Sequence, residues 1–203
     1  MLNALMLLVF ASTTVSEPNT AVTFDTTITL DEQTLNLTGV ARRRALGRDA
    51  YAVAHYIGAL PGEPRDQSDA EGLLDQYIDA ATHKVLVFHG VYKNVPAHGI
   101  RHSWRKHFKD LGIAPREDFV EVFQSPFIRG ERLYFVANPD GHLEVRHGDR
   151  VLGQWDDPTL VRALWAMCLG PTTEIVERTK LASLQILPQE TADRDPAKEP
   201  ARP

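Results

Sequence analysis

Arg42, Arg43 and Arg44 stand in a row, just upstream of a strand-like alternation in which Tyr51, Val53, His55 and Ile57 share one face. Burying a guanidinium is costly unless something pairs with it. The cluster is therefore either a solvated edge or a site in which one arginine turns inward and waits for an anion. Two other groups of residues carry possible chemistry. His98 and His102 are four apart on an expected helix, with His107 further along, and that spacing can share a metal ion. No carboxylate or cysteine stands beside them, and Arg101, Arg105 and Lys106 add unfavourable charge, so they read as a solvated basic face. Cys168, the single cysteine, sits in the apolar helical pattern "RALWAMCLG" and reads as core packing. No metal or cofactor is expected.

The background is that of an ordinary globular chain. Its 203 residues suit one domain with appendages, at 43% hydrophobic and 24% charged residues. A net charge of −5 argues against nonspecific nucleic-acid binding, which needs a basic surface. No Gly-rich phosphate loop is present. Residues 1–16 hold an apolar run, Ala4 to Ala11, followed by small and polar residues. That run is too short to span a bilayer and fits an export signal, which would make the protein periplasmic or secreted, although the usual basic start is missing. Residues 188–203 are polar, charged and rich in proline, and read as a disordered tail.

The elements that must position these residues follow from periodicity and turns. "VTFDTTITL" and "TLNLTGV" alternate as a hairpin, and "DAYAVAHYIG" is a longer strand. Leu73, Leu74, Tyr77 and Ile78 have helical spacing behind an Asp69 cap. "HKVLVFHGVY" is apolar enough for a central strand. Ile100, Trp104, Phe108 and Leu111 trace a helix stopped by Gly112. Phe119, Val122 and Phe123 suggest another before Pro126. "NPDG" and "HGDR" join three strands as a meander. Asp157 and Pro158 open a helix that ends at Gly170, and "TTEIVERTKLASL" reads as the last helix. Without βαβ alternation, the class is α+β, an antiparallel sheet covered on one face by helices.

The succession "LNLTGVARR", "AYAVAHYIG", loop and helix, "KVLVFHGV", then "ERLYFVANPDGHLEVRHGDRVLGQWDDPTLVRALWAMCLGP", resembles the chalcone-isomerase-like family over residues 21–184. It looks closest to that family's bacterial exported branch. The resemblance implies an open-faced β-sandwich with a ligand cleft between sheet and helices. It also implies that Gly39 to Arg43 matches the family's G-x-G-x-R segment. Arg43 would then point into the cleft, with Arg42 and Arg44 turned away by strand alternation. A guanidinium suits a carboxylate or a developing enolate. Tyr51 matches a family position where a hydroxyl can share that anion, and it also reads as a core aromatic. His55, on the same strand face, is a candidate acid or base in the cleft, or a satisfied core histidine. The plant isomerases' tyrosine and asparagine positions fall near Pro96 and Ser103, which puts the plant ring closure in doubt.

The resemblance implies a domain that binds a small apolar carboxylate such as a fatty acid, with Arg43, Tyr51 and His55 as ligand-binding residues. The alternatives are an intramolecular lyase or isomerase acting on a chalcone- or enone-like substrate, with Arg43 catalytic, and a scaffold with a collapsed cleft.

Overall fold

A computed structural model of the chain describes residues 13–30, 32–45, 47–59 and 70–185. The Asp69 cap and the C-terminal tail lie outside the described residues, as does most of the expected export segment. Its last residues, Thr14–Ser16, form a short strand β1 paired with β2, Thr23–Asp25. Strand β3 (Thr27–Leu30) turns into the long β4 (Gln33–Ala45), which pairs with β5 (Arg48–Ile57). Helix α1 (Ala70–Asp79) precedes β6 (Lys84–Gly90). A two-residue strand β7 (Asn94–Val95) leads into α2 (Ala97–Asp110) and the single turn α3 (Glu117–Val120). Then come β8 (Phe127–Ile128), β9 (Arg132–Ala137), β10 (His142–His147) and β11 (Arg150–Asp156). Helix α4 (Pro158–Leu169), β12 (Ile175–Val176) and a 3₁₀ helix (Arg178–Gln185) complete the fold.

The main sheet runs β11-β10-β9-β6-β5-β4-β12, with β3 also paired to β4, and all its ladders are antiparallel. Apolar β6 lies in the middle, as its composition requires. One face packs against the helices through Leu74, Tyr77, Trp104, Phe108, Leu164 and Trp165. The other carries a smaller cluster in which Phe24 of β2 covers Leu35, Leu37, Val85 and Val87. The fold is thus the expected α+β sheet with a helical layer. Asp157 caps α4, accepting from the Thr159 and Leu160 amides at 2.9 and 3.1 Å, and Pro158 takes the first position. Gly112, at φ +73°, stops α2.

Two expected helices change character. The one over Phe119–Phe123 is a single turn. The chain leaves it so that Phe119 and Phe123 both pack on the Trp104 ring, and Arg101 takes the Phe123 carbonyl at 2.8 Å. The last one begins as strand β12, because its β-branched pair Ile175 and Val176 covers the open edge of β4.

Strand β4 contains a bulge at Thr38, between Leu37 opposite Tyr56 and Gly39 opposite His55. Gly39 lies directly under the 3₁₀ helix, and a Cβ there would land on the Lys180 carbonyl oxygen. Gly39→Ala is expected to lower stability by about 1–3 kcal/mol through forced backbone shifts, read as a lower urea midpoint.

Candidate functional site

The bulge decides where Arg43 points. Before it, Leu35 and Leu37 face the cluster under β2; after it, Val40 does. One extra residue has shifted the alternation, so Ala41 joins the helix-side core and Arg43 follows it to the same side. In the ladders, Arg43 lies opposite Tyr51 of β5 and opposite Ile175 of β12. That register sets the residue before Ile175, Glu174, beside the guanidinium.

Arg43 Nη2 donates to Ser103 Oγ at 2.8 Å and to the Glu174 carboxylate. The guanidinium carbon lies 5.7 Å from the centre of the Tyr51 ring. The other Glu174 oxygen accepts from Lys106 Nζ at 3.1 Å. His107 Nε2 is 3.9 Å from Glu174 Oε2 and 3.3 Å from Ser103 Oγ. Ser103, Lys106 and His107 are three and four residues apart on α2 and so share one face. The arginine is half-buried, while the glutamate is more open, with side-chain exposures of 14% and 37%.

This arrangement tunes its members. Burial alone would raise the Glu174 carboxyl, but the bond and charge of Arg43, with Lys106 and His107, hold it down at about 2. Burial, reinforced by the Arg43 charge, lowers His107 to about 4. Burial raises the Tyr51 phenol against the pull of Arg43. At neutral pH the site therefore holds a charged glutamate, a neutral imidazole and a neutral phenol. The Tyr51 hydroxyl makes no hydrogen bond with the described residues.

Arg43 and Tyr51 line a cleft of about 810 Å³ between the end of the β4–β5 hairpin and α2. Its apolar wall includes Ala50, Tyr92, Val95 and Pro96, and its polar wall includes Arg44, Arg48, His98, His102 and Lys106. That volume falls in the range of small-molecule sites, about 300–1,000 Å³. Behind Tyr51 the space narrows to about 20 Å³ among Phe88, Ile100, Trp104, Phe127, Leu133 and Phe135. An aromatic layer closes the route into the core.

Arg43 and Tyr51 are therefore brought together at the cleft, and His55 is not. It shares their strand face but lies four residues further along β5, about 13 Å at the rise of a strand. There it is fully buried under α1 and α4. Its Nε2 accepts from Trp165 Nε1 at 3.1 Å, so Nδ1 carries the proton and donates to Thr38 Oγ1 at 2.8 Å. Thr38 in turn donates to the Leu181 carbonyl at 2.5 Å. Burial and then the Lys84 charge lower His55 to about 3. It is a neutral structural group.

Strand alternation turns Arg42 away, to Asp49 at 2.9 Å, but Arg44 lines the cleft too. A second irregularity, between Arg43 and Arg44, breaks the alternation there. His98 and His102 are exposed on the cleft wall, and no group of three or more His, Cys, Asp or Glu residues converges among the described residues. Cys168 is buried in α4, and burial pushes its thiol up to about 12. Glu174 was not singled out by sequence, and Lys106 and His107 were named only beside the His98–His102 pair, not as partners of Arg43. The α2 spacing of Ser103, Lys106 and His107 is a readable signal, whereas nothing in "TTEIVERT" marks Glu174.

A family model described as chalcone isomerase-like matches residues 17–174. A search of curated proteins finds no match. Among solved structures, a fatty-acid binding protein of Arabidopsis thaliana is similar, with a TM-score of 0.65. The superposition covers 84% of this chain and 97% of that one, at 18% identity. At that identity the likeness is one of fold.

Proposed function

The chain belongs to the chalcone isomerase-like family, and from that premise we propose that it binds a small apolar carboxylate, fatty-acid-like, in the cleft between β5 and α2. The observation that carries this reading is a half-buried guanidinium, Arg43, on the wall of an apolar-sided cleft of ligand size. The carboxylate sits on Arg43, with the Tyr51 hydroxyl as a second donor. The acyl chain lies along Ala50, Tyr92, Val95 and Pro96. The fold it shares with a plant fatty-acid binding protein supports this choice.

The test joins two assays on the purified protein. Small molecules extracted from the native protein are identified by mass spectrometry, and laurate is titrated calorimetrically. A fatty acid retained near one equivalent, or saturable laurate binding, is the expected result. No retained carboxylate and no laurate binding would sink the reading. Turnover of a chalcone that depends on Arg43 would replace binding with ring-closing catalysis.

A further inference from the structure

Every two-pronged approach to a guanidinium uses Nη2, because both of its two-nitrogen edges, Nε–Nη2 and Nη1–Nη2, contain that atom. In this protein Nη2 is already committed twice, to Ser103 and to the Glu174 carboxylate. Arg43 Nε, by contrast, is buried with no hydrogen-bond partner among the described residues. The fork is therefore half used, and it is used by a carboxylate that the chain supplies itself. A ligand carboxylate cannot simply add to this arrangement. Two carboxylates on one guanidinium repel, and Glu174 meets an incoming ligand as a charged group, since Arg43 and Lys106 hold its carboxyl well below the usual carboxylate range.

We propose that Glu174 is a built-in competitor for the ligand's carboxylate, occupying the seat on Arg43 and exchanging with it when a ligand enters. The inference rests on the carboxylate-binding reading above and adds the residue that sets its affinity. The surroundings suit exchange. Glu174 lies in the short segment between the end of α4 and β12, and its side chain is over a third exposed, so it swings outward without moving the sheet. Lys106, which is also exposed, already holds the second oxygen and can keep the charge compensated outside the seat. Ser103, fixed on α2, stays as a neutral acceptor beside the incoming head group. Ligands with an uncharged polar head do not contest the same seat, so the competition discriminates by charge.

The experiment titrates laurate and dodecanol, the same chain with charged and neutral heads, into wild type, Glu174→Gln and Glu174→Ser near neutral pH. Glu174→Gln keeps the shape and removes the charge. It is expected to bind laurate about tenfold more tightly than wild type, with dodecanol affinity unchanged. Without ligand its melting temperature falls, because Arg43 has lost its carboxylate, and laurate restores more of it than in wild type. Glu174→Ser should gain for laurate in the same way if glutamine disturbs the packing. Wild type that binds laurate while neither variant binds it more tightly overturns the competitor and leaves the carboxylate reading standing. An equal gain for dodecanol also overturns it, since the effect would then be space and not charge. Laurate bound by none of the three removes both ideas.

Discussion

Arg43→Gln is expected to weaken laurate binding by about 30- to 100-fold, the 2–3 kcal/mol of a charge-assisted hydrogen-bonded pair. The loss should appear in laurate affinity and not in folding. Glutamine is smaller and neutral, and Glu174 keeps Lys106 as its partner at 3.1 Å, so no carboxylate is left stranded in the core. The melting temperature should therefore move by only a few degrees. Arg43→Lys should recover only part of the affinity. An ammonium presents a point charge and cannot serve Ser103, Glu174 and a ligand along one planar edge. Laurate affinity unchanged in Arg43→Gln would place the head group elsewhere in the cleft, with Arg44 and Arg48 the next cations on its wall.

The largest effect on stability belongs to His55. His55→Leu strips the partner from the Trp165 indole and one of those of the Thr38 hydroxyl, both in a fully buried setting. The expected cost at pH 7.5 is about 2–4 kcal/mol, a fall in melting temperature of roughly 5–15 °C. The pH dependence gives a sharper signature. His55 titrates near 6.5 when unfolded and near 3 in the fold, so between those values the unfolded chain binds more protons. Its contribution is present above about 6.5 and is lost as pH falls towards 3, at up to about 1.4 kcal/mol per pH unit. Wild type and His55→Leu should therefore converge by about 2–3 kcal/mol between pH 7.5 and 4.5. His107 and Glu174 also make the protein acid-sensitive, but both proteins share them, and the difference removes them. A gap independent of pH in urea titrations would mean that His55 is not held neutral by burial.

What the sequence made legible was local. The β6 run, the meander turns and the α4 cap are each decided by a few adjacent residues, and the structure has them where expected. The partnership of Arg43 with Tyr51 was within reach as well, because a hairpin sets its own register. Ser103 was so only through the resemblance, which sets it near a site position of the plant isomerases, and Glu174 was not. They stand 60 and 131 residues from Arg43 along the chain, and their meeting depends on how α2 and β12 dock. Glu174 was further hidden because an apparent helical pattern covered what is an edge strand. His55 shows the limit of alternation: it reports the face of a sheet correctly but says nothing about which helix covers each stretch of that face.

The bulge at Thr38 gives the site a dependence on counting. Beyond it, β4 behaves like a reading frame with two settings, and only one of them points Arg43 at α2. Flattening the bulge, so that Thr38 pairs as an ordinary ladder residue, would leave the composition of the strand untouched, yet exchange its inner and outer letters from Val40 onward. Val40 and Arg42 would then face the helices, and Ala41 and Arg43 would face the other side. The inward aim of Arg43 is thus encoded as much in the parity of residues along one strand as in the presence of an arginine. A slip of one residue in the β4–β5 pairing would turn Arg43 outward without a single site residue being replaced.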